Sequence, residues 1–153
     1  MKKTLVTLLI VAAVGLGYWL ISPLFLDTRV AEEFPETGTT TENGASQPQV
    51  VATGTFSGLD AVHRGSGDVS IIRTEQGYVV RLEENFEVSN GPDLFVGLGK
   101  DGEYREEAQL EALKGNIGSQ NYAVPDDINI EDYNEVWIWC RAFSVPFAKA
   151  ALE

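Results

Sequence analysis

The hydrophobic pattern of this chain has two parts, one continuous and one alternating. Residues 4–26 contain no charged side chain, and about 20 apolar residues in a helix span the roughly 30 Å hydrocarbon layer of a bilayer. From residue 50 onward, short apolar segments alternate with polar positions and are separated by turns that contain Gly or Pro, a pattern typical of β-strands. The sequence therefore predicts one membrane-spanning helix followed by a mostly β domain.

Short β-prone segments recur throughout the second part. Residues 68–73 and 78–82 flank a turn at residues 74–77, which predicts a hairpin. Further strand candidates are residues 51–56, 86–88, 94–98, 136–140 and 143–152. Seven or eight short strands predict an antiparallel β-sandwich. Residues 103–114 alone have helical spacing, with Gly115 as a possible cap.

Charge on either side of the apolar run predicts its orientation. Lys2 and Lys3 precede the run, and acidic residues follow it, so residues 1–27 are expected to form a cytoplasmic tip and transmembrane anchor. A cleaved secretory signal is the alternative, but the run is long and no clear small-residue cleavage site follows it. Both interpretations place the folded domain outside the cytoplasm, and the first predicts a single-pass protein of the cell membrane.

Residues 28–49 differ in composition from both neighbours. They are rich in Thr, Gly, Glu, Ser and Pro, and such a segment cannot bury enough apolar surface to fold. The sequence therefore predicts a flexible extracytoplasmic linker at residues 28–49 and a folded domain at residues 50–153.

Net charge limits the possible partners. Residues 50–153 contain eight Lys and Arg against eighteen Asp and Glu, a formal charge of −10. This domain should repel nucleic acid and an anionic lipid surface, so contact with the lipid bilayer is assigned to residues 4–26. No GxSxG, HExxH or glycine-rich phosphate loop occurs. We therefore predict no hydrolase activity and expect a non-catalytic redox or binding module.

Cys140 is the only cysteine, so no intramolecular disulfide can form. A lone thiol in an oxidising compartment is unusual and is a candidate redox centre. The alternative is structural, because free cysteine is among the most buried residue types. Alternation along residues 136–140 places Trp137 and Trp139 on one face and Ile138 with Cys140 on the other.

His63 is the only histidine of the chain. A pair formed by His63 and Cys140 could ligate haem or copper, although no motif supports this. We therefore predict no cofactor and no metal site.

Several motifs, taken in order, resemble one known family. They are HRGSG at residues 63–67, GPDL at residues 91–94, LKGNIGSQNY at residues 113–122, and the adjacent Trp139 and Cys140. Together they resemble the DM-thirteen domain, also called an electron-transfer domain, which is placed near the DOMON domains. The resemblance covers residues 51–152. It implies a β-rich module whose characteristic cysteine is a redox thiol or a cofactor ligand.

The resemblance assigns that role to Cys140. The chain departs from the family pattern at Ala148, where Gly is expected, and has no attached cytochrome or DOMON module. Any electron partner would therefore be a separate protein.

The sequence as a whole predicts a membrane-tethered, extracytoplasmic redox or electron-transfer module. Cys140 is its candidate redox thiol, and His63, Trp137 and Trp139 are candidate cofactor-binding residues. The alternative is a non-redox module of the cell envelope that binds another protein and in which the cysteine is structural. A cofactor-binding carrier is a third class and requires a pocket.

Overall fold

A computed structural model describes residues 4, 7, 10–12, 15, 17–18, 26–35 and 48–153 of the chain. The described residues before residue 19 are helical. Across the described part of the chain, no helix is both long and apolar enough to cross a membrane. Most of the transmembrane segment predicted over residues 4–26 lies outside the described residues.

Residues 48–153 form a β domain. Its strands are β1 (Gln49–Gly58), β2 (Gly65–Ser66), β3 (Asp68–Thr74), β4 (Gly77–Leu82), β5 (Glu87–Val88), β6 (Leu94–Lys100), β7 (Glu103–Ala112), β8 (Gln120–Ala123), β9 (Glu135–Cys140) and β10 (Val145–Ala151). A 3-10 helix at Ile130–Asp132 precedes β9.

Eight of these strands form one antiparallel sheet in the order β7-β6-β9-β10-β1-β3-β4-β8, and β2 pairs with β5. The prediction of a mostly β, antiparallel fold is confirmed. The two layers expected of a sandwich are joined into one sheet because β1 is long enough to have different partners along its length. Its first part pairs with β3, and its end, from Phe56 to Gly58, pairs with β10.

The predicted hairpin between residues 68–73 and 78–82 is present as β3 and β4. Gly77 has a φ of 120°, a backbone conformation that Gly adopts without steric cost. The Thr74 hydroxyl donates a hydrogen bond to the Gly77 carbonyl at 3.0 Å and accepts one from the Gln76 amide at 3.2 Å. These contacts close the turn.

The helix expected at residues 103–114 was wrong, because this segment forms β7. Asp101 and Gly102 have φ angles of 54° and 89° and form a two-residue turn, since Lys100 pairs with Glu103. This turn returns the chain directly alongside β6. Pairing across the sheet therefore decided the structure over the local spacing of apolar residues.

The hydrophobic core takes side chains from both halves of the sheet. Its fully buried members include Val69, Ile71, Val80, Leu82, Phe86, Tyr122, Val96, Leu98, Val136, Ile138 and Cys140. Because successive side chains of a strand point to opposite faces of the sheet, the same strands also present a second, outward row of side chains. Both rows matter for the candidate site.

Residues 27–34, which we call the N-terminal strap, lie against the β domain. The Val30 amide donates to the Ile117 carbonyl at 2.9 Å, and the Ile117 amide donates to the Thr28 carbonyl at 3.3 Å. A free linker was expected over residues 28–49. Its first residues are instead bound to the domain surface, while residues 36–47 are outside the described residues.

Candidate functional site

Cys140 is the last residue of β9, where it pairs with Leu94 of β6 and Val145 of β10. Its side chain has no solvent exposure and belongs to the hydrophobic core. Ile138 also points into the core, as the alternation along β9 predicted. The thiol therefore lies inside the domain, one residue before an exposed turn. We call this region the Cys140 end of the sheet.

The turn after Cys140 is fastened to the loop that precedes β6. The Arg141 amide donates to the Asp93 carbonyl at 3.0 Å, and the Arg141 Nε donates to the Asp93 Oδ2 at 2.9 Å. The guanidinium also lies 4.4 Å from the centre of the Phe95 ring. Ser144 closes the turn with a φ of 52°. These contacts hold the exposed turn over the end of β9.

His63 lies at the same end of the sheet but in a different environment. Its ring packs on that of Phe147, with 4.5 Å between the centroids. Its Nδ1 lies 2.6 Å from the Asp60 Oδ2, and its amide donates to the Asp60 Oδ1 at 2.7 Å. The backbone amide of His63, its side chain and the Val62 amide lower the pKa of Asp60 to about 2. The imidazole is thus held by an exposed carboxylate.

The loop before β6 packs closely against β10. A Cβ placed on Gly91 would lie 2.8 Å from side-chain atoms of both Leu94 and Phe147, so only Gly allows this approach. The Ser89 amide donates to the Arg64 carbonyl at 2.8 Å, which joins this loop to the segment after His63. Three of the motifs that carry the family resemblance therefore meet at the Cys140 end.

Three exposed apolar side chains lie at this end of the sheet. Phe143, in the turn after β9, is 68% exposed, and Val62 and Leu59, in the loop after β1, are 73% and 39% exposed. The two loops are neighbours because the end of β1 pairs with β10, the strand that follows the turn. A contiguous exposed apolar patch is typical of a surface that binds another protein.

The outward row of β9 forms a separate aromatic cluster. The Trp139 and Tyr104 rings are stacked, with centroids 4.6 Å apart, and Trp137 meets Tyr104 edge-on at 6.4 Å. The Trp137 Nε1 donates to the Glu135 Oε2 at 3.1 Å. The Lys149 Nζ lies 5.1 Å from the Trp137 ring and 3.2 Å from the Glu135 Oε1. The two indoles are thus on the face opposite to the thiol.

Two glycines of β6 make room for this cluster. A Cβ on Gly97 would lie 2.7 Å from the Tyr104 ring, and one on Gly99 would overlap the Trp137 indole. Burial, with a smaller contribution from Glu106, raises the pKa of Tyr104 to about 12. The sequence alone did not indicate a role for Tyr104 or for the two glycines. Glycine at alternate positions of one strand was, however, a signal that other side chains pack closely against that face of β6.

The four predicted site residues therefore occupy three environments. Cys140 is in the core, His63 is held by Asp60, and Trp137 and Trp139 are on the outward face of β9. Among the described residues, no group of three or more His, Cys, Asp or Glu side chains could hold a metal ion. An open cleft of about 510 Å³ lies beside Asp60, but neither Cys140 nor His63 lines it.

A protein-family model described as Electron transfer DM13 matches residues 56–152, which is more than half of the chain. The chain belongs to this family. The matched region of the DM-thirteen domain runs from β1 to just beyond β10, so it contains the Cys140 end and the aromatic cluster but not the N-terminal strap. Comparison with curated proteins and with solved structures finds no match to the chain.

Proposed function

We propose that this DM-thirteen domain is an extracytoplasmic electron-transfer module, tethered to the membrane by residues 4–26, and that Cys140 is its redox centre. The family match across nearly the whole β domain carries the proposal. The absence of any charged side chain from residues 4–26, after Lys2 and Lys3, supports the tether. Cys140 supplies the only thiol of the chain.

Burial of Cys140 restricts the chemistry to an opened form of the domain. In thiol–disulfide exchange, the Cys140 thiolate attacks one sulfur of a disulfide, a new S–S bond forms, and the other sulfur leaves as a thiolate. The two sulfurs must touch, so the turn after Cys140 has to move first. With one cysteine, the oxidised product is a mixed disulfide with another molecule or a sulfenic acid.

The side-chain ion pair that helps to close this turn is weak. Arg141 and Asp93 have side chains that are 60% and 31% exposed, and exposed ion pairs contribute about 0.2–1 kcal/mol to stability. Global unfolding of a domain costs about 5–15 kcal/mol. Local opening that breaks this ion pair and the hydrogen bond from the Arg141 amide to the Asp93 carbonyl should cost less free energy than global unfolding, and it is our proposed route to the thiol.

A second candidate function is a protein-interaction module in which Cys140 is structural. The complete burial of Cys140 in the core favours it, because free cysteine packs well as a small apolar side chain. Leu59, Val62 and Phe143 would then form the binding surface.

Thiol labelling of the native protein at increasing, low urea concentrations separates the two functions. If the turn opens locally, the labelling rate should depend little on urea, since local opening exposes little surface. The domain should also form a mixed disulfide with glutathione disulfide, detected by mass. A rate that follows the full urea dependence of unfolding, with no mixed disulfide, would overturn the redox proposal.

Arg141→Ala tests the opening route directly. Loss of an exposed ion pair worth about 0.2–1 kcal/mol should speed labelling by about 1.4- to 5-fold. Arg105→Ala is the matched control, because Arg105 pairs with Glu103 on β7 at 3.0 Å, away from Cys140. Equal labelling rates in the two variants would contradict opening at this turn.

A further inference from the structure

The N-terminal strap occupies a groove that the electron-transfer proposal does not use. The groove is formed by residues 114–121, together with Arg81 of β4. The strap adds to it as an extended strand would: besides the Val30 contact, the Glu32 amide donates to the Ser119 carbonyl at 2.9 Å. Peptides that dock in this way gain affinity from main-chain hydrogen bonds and specificity from side chains.

Glu32 makes the most specific side-chain contacts of the strap. Its carboxylate accepts hydrogen bonds from the Lys114 Nζ at 2.9 and 3.2 Å and from the Asn121 amide at 2.6 Å. Burial raises the pKa of Glu32, but the hydrogen bonds from Lys114 and Asn121 outweigh it, so the pKa is lowered. The groove thus selects a negatively charged carboxylate at this position.

Arg81 recognises the backbone of the strap. This side chain is buried, and its guanidinium donates to the Glu32 carbonyl at 3.3 Å, to the Glu33 carbonyl at 3.0 Å and to the Asn121 Oδ1 at 2.9 Å. The Phe34 ring covers the guanidinium at 5.5 Å. Removing the strap would take away its two carbonyl acceptors and the Phe34 ring, whereas Arg81 would keep its ion pair with Glu83 at 3.1 Å and its hydrogen bond to Asn121.

The floor of the groove is shaped for a close backbone. A Cβ on Gly115 would lie 2.5 Å from the Thr28 carbonyl oxygen, and one on Gly118 would overlap the Val30 carbonyl. Fully buried Gln120 fixes this floor, because its amide donates to the Gly115 and Gly118 carbonyls at 2.8 and 3.2 Å. The groove is therefore held in shape by the domain itself.

The Asp27 carboxylate accepts a hydrogen bond from the Asn116 side chain at 2.9 Å. We infer that this groove is a peptide-binding site for an extended acidic segment with Asp at its first position and Glu at its sixth. The strap fills it within the same chain, from Asp27 to Phe34. The strap therefore holds the β domain to the N-terminal run even when the covalent link through residues 36–47 is cut. This inference does not depend on electron transfer.

Cutting the full-length protein tests the inference. A recognition site for a specific protease is placed within residues 36–47, and the detergent-solubilised protein is cut and run on a size-exclusion column. The two fragments should elute together. Elution of the β domain alone immediately after cutting would overturn the inference.

Two charge-removing variants give a matched comparison. Glu32→Gln should weaken retention of the cut domain by about tenfold, because charge-assisted hydrogen bonds are stronger than neutral ones. Glu33→Gln should leave retention unchanged, since Glu33 is bound through its carbonyl oxygen. Equal retention of the two variants would overturn the specificity assigned to the groove.

A synthetic peptide of residues 26–35 identifies the ligand class. In excess, it should compete with the strap for the groove and raise the fraction of the cut β domain that elutes alone, whereas the same peptide with Glu32→Gln should act only at about tenfold higher concentration. An equal fraction of released β domain with both peptides at the same concentration, or no release with either, would overturn the assignment of an acidic peptide site.

Discussion

Replacing Cys140 with serine tests how tightly the thiol is packed. The side chain is fully buried among apolar neighbours, and the backbone groups beside it are engaged with Leu94 and Val145. A buried hydroxyl without a partner costs about 1–3 kcal/mol. We therefore expect Cys140→Ser to lower the free energy of unfolding by about 1–3 kcal/mol.

Cys140→Ala separates packing from polarity. Alanine removes the sulfur and introduces no polar group, so its cost is the lost transfer free energy of about 0.8 kcal/mol per methylene-sized group plus a cavity cost. A loss of about 1–2 kcal/mol is expected. The serine variant should be at least as unstable as the alanine variant, although serine fills more of the space.

Urea unfolding under reducing conditions measures both losses. With a slope of about 2 kcal/mol per molar urea, a loss of 2 kcal/mol lowers the midpoint by about 1 M. The slope itself should not change, because the variants bury the same surface. A serine variant as stable as the parent would refute the buried position of the sulfur, and a changed slope would show that the variant alters more than one side chain.

Two further predictions concern the aromatic cluster and the tether. Gly99→Ala should displace the Trp137 indole, break its hydrogen bond to Glu135 and destabilise the domain by about 1–3 kcal/mol. The NMR signal of the indole N–H measures the displacement, and an unshifted signal would contradict the packing. Deleting residues 4–26 should move the protein from alkaline-washed membranes into the soluble fraction, whereas continued pelleting would argue against the tether.

Elements that depend on residues close together in the chain could be predicted from the sequence. The hairpin of β3 and β4 follows from two alternating segments around Gly77, and the opposite facing of Trp137 and Cys140 follows from the period of a strand. The prediction of a helix over residues 103–114 was wrong. The turn residues Asp101 and Gly102, just before this segment, favour a hairpin and were the better local signal. Helical spacing over one short stretch was weaker evidence than turn chemistry.

Contacts between distant segments could not be predicted in this way. The composition of residues 28–35 resembles that of a disordered linker, but Glu32 binds Lys114 and Asn121, which are more than 80 residues away in the chain. Likewise, the Tyr104 ring of β7 stacks on Trp139 of β9 across the intervening strand β6. The pairing of β6 with β7 shifts register on both sides of Gly97. A register that includes such shifts cannot be counted from the sequence alone.

The start of the strap joins its groove to the Cys140 end. The Asp27 carboxylate accepts hydrogen bonds from the Asn116 side chain at 2.9 Å and from the Asn90 side chain at 3.1 Å. Asn116 belongs to the groove, and Asn90 lies in the loop whose Asp93 closes the turn after Cys140. The chain thus enters the β domain beside the Cys140 end. The hydrogen bonds of the strap fix this entry point, since its backbone and the Asp27 carboxylate are both bound to the domain.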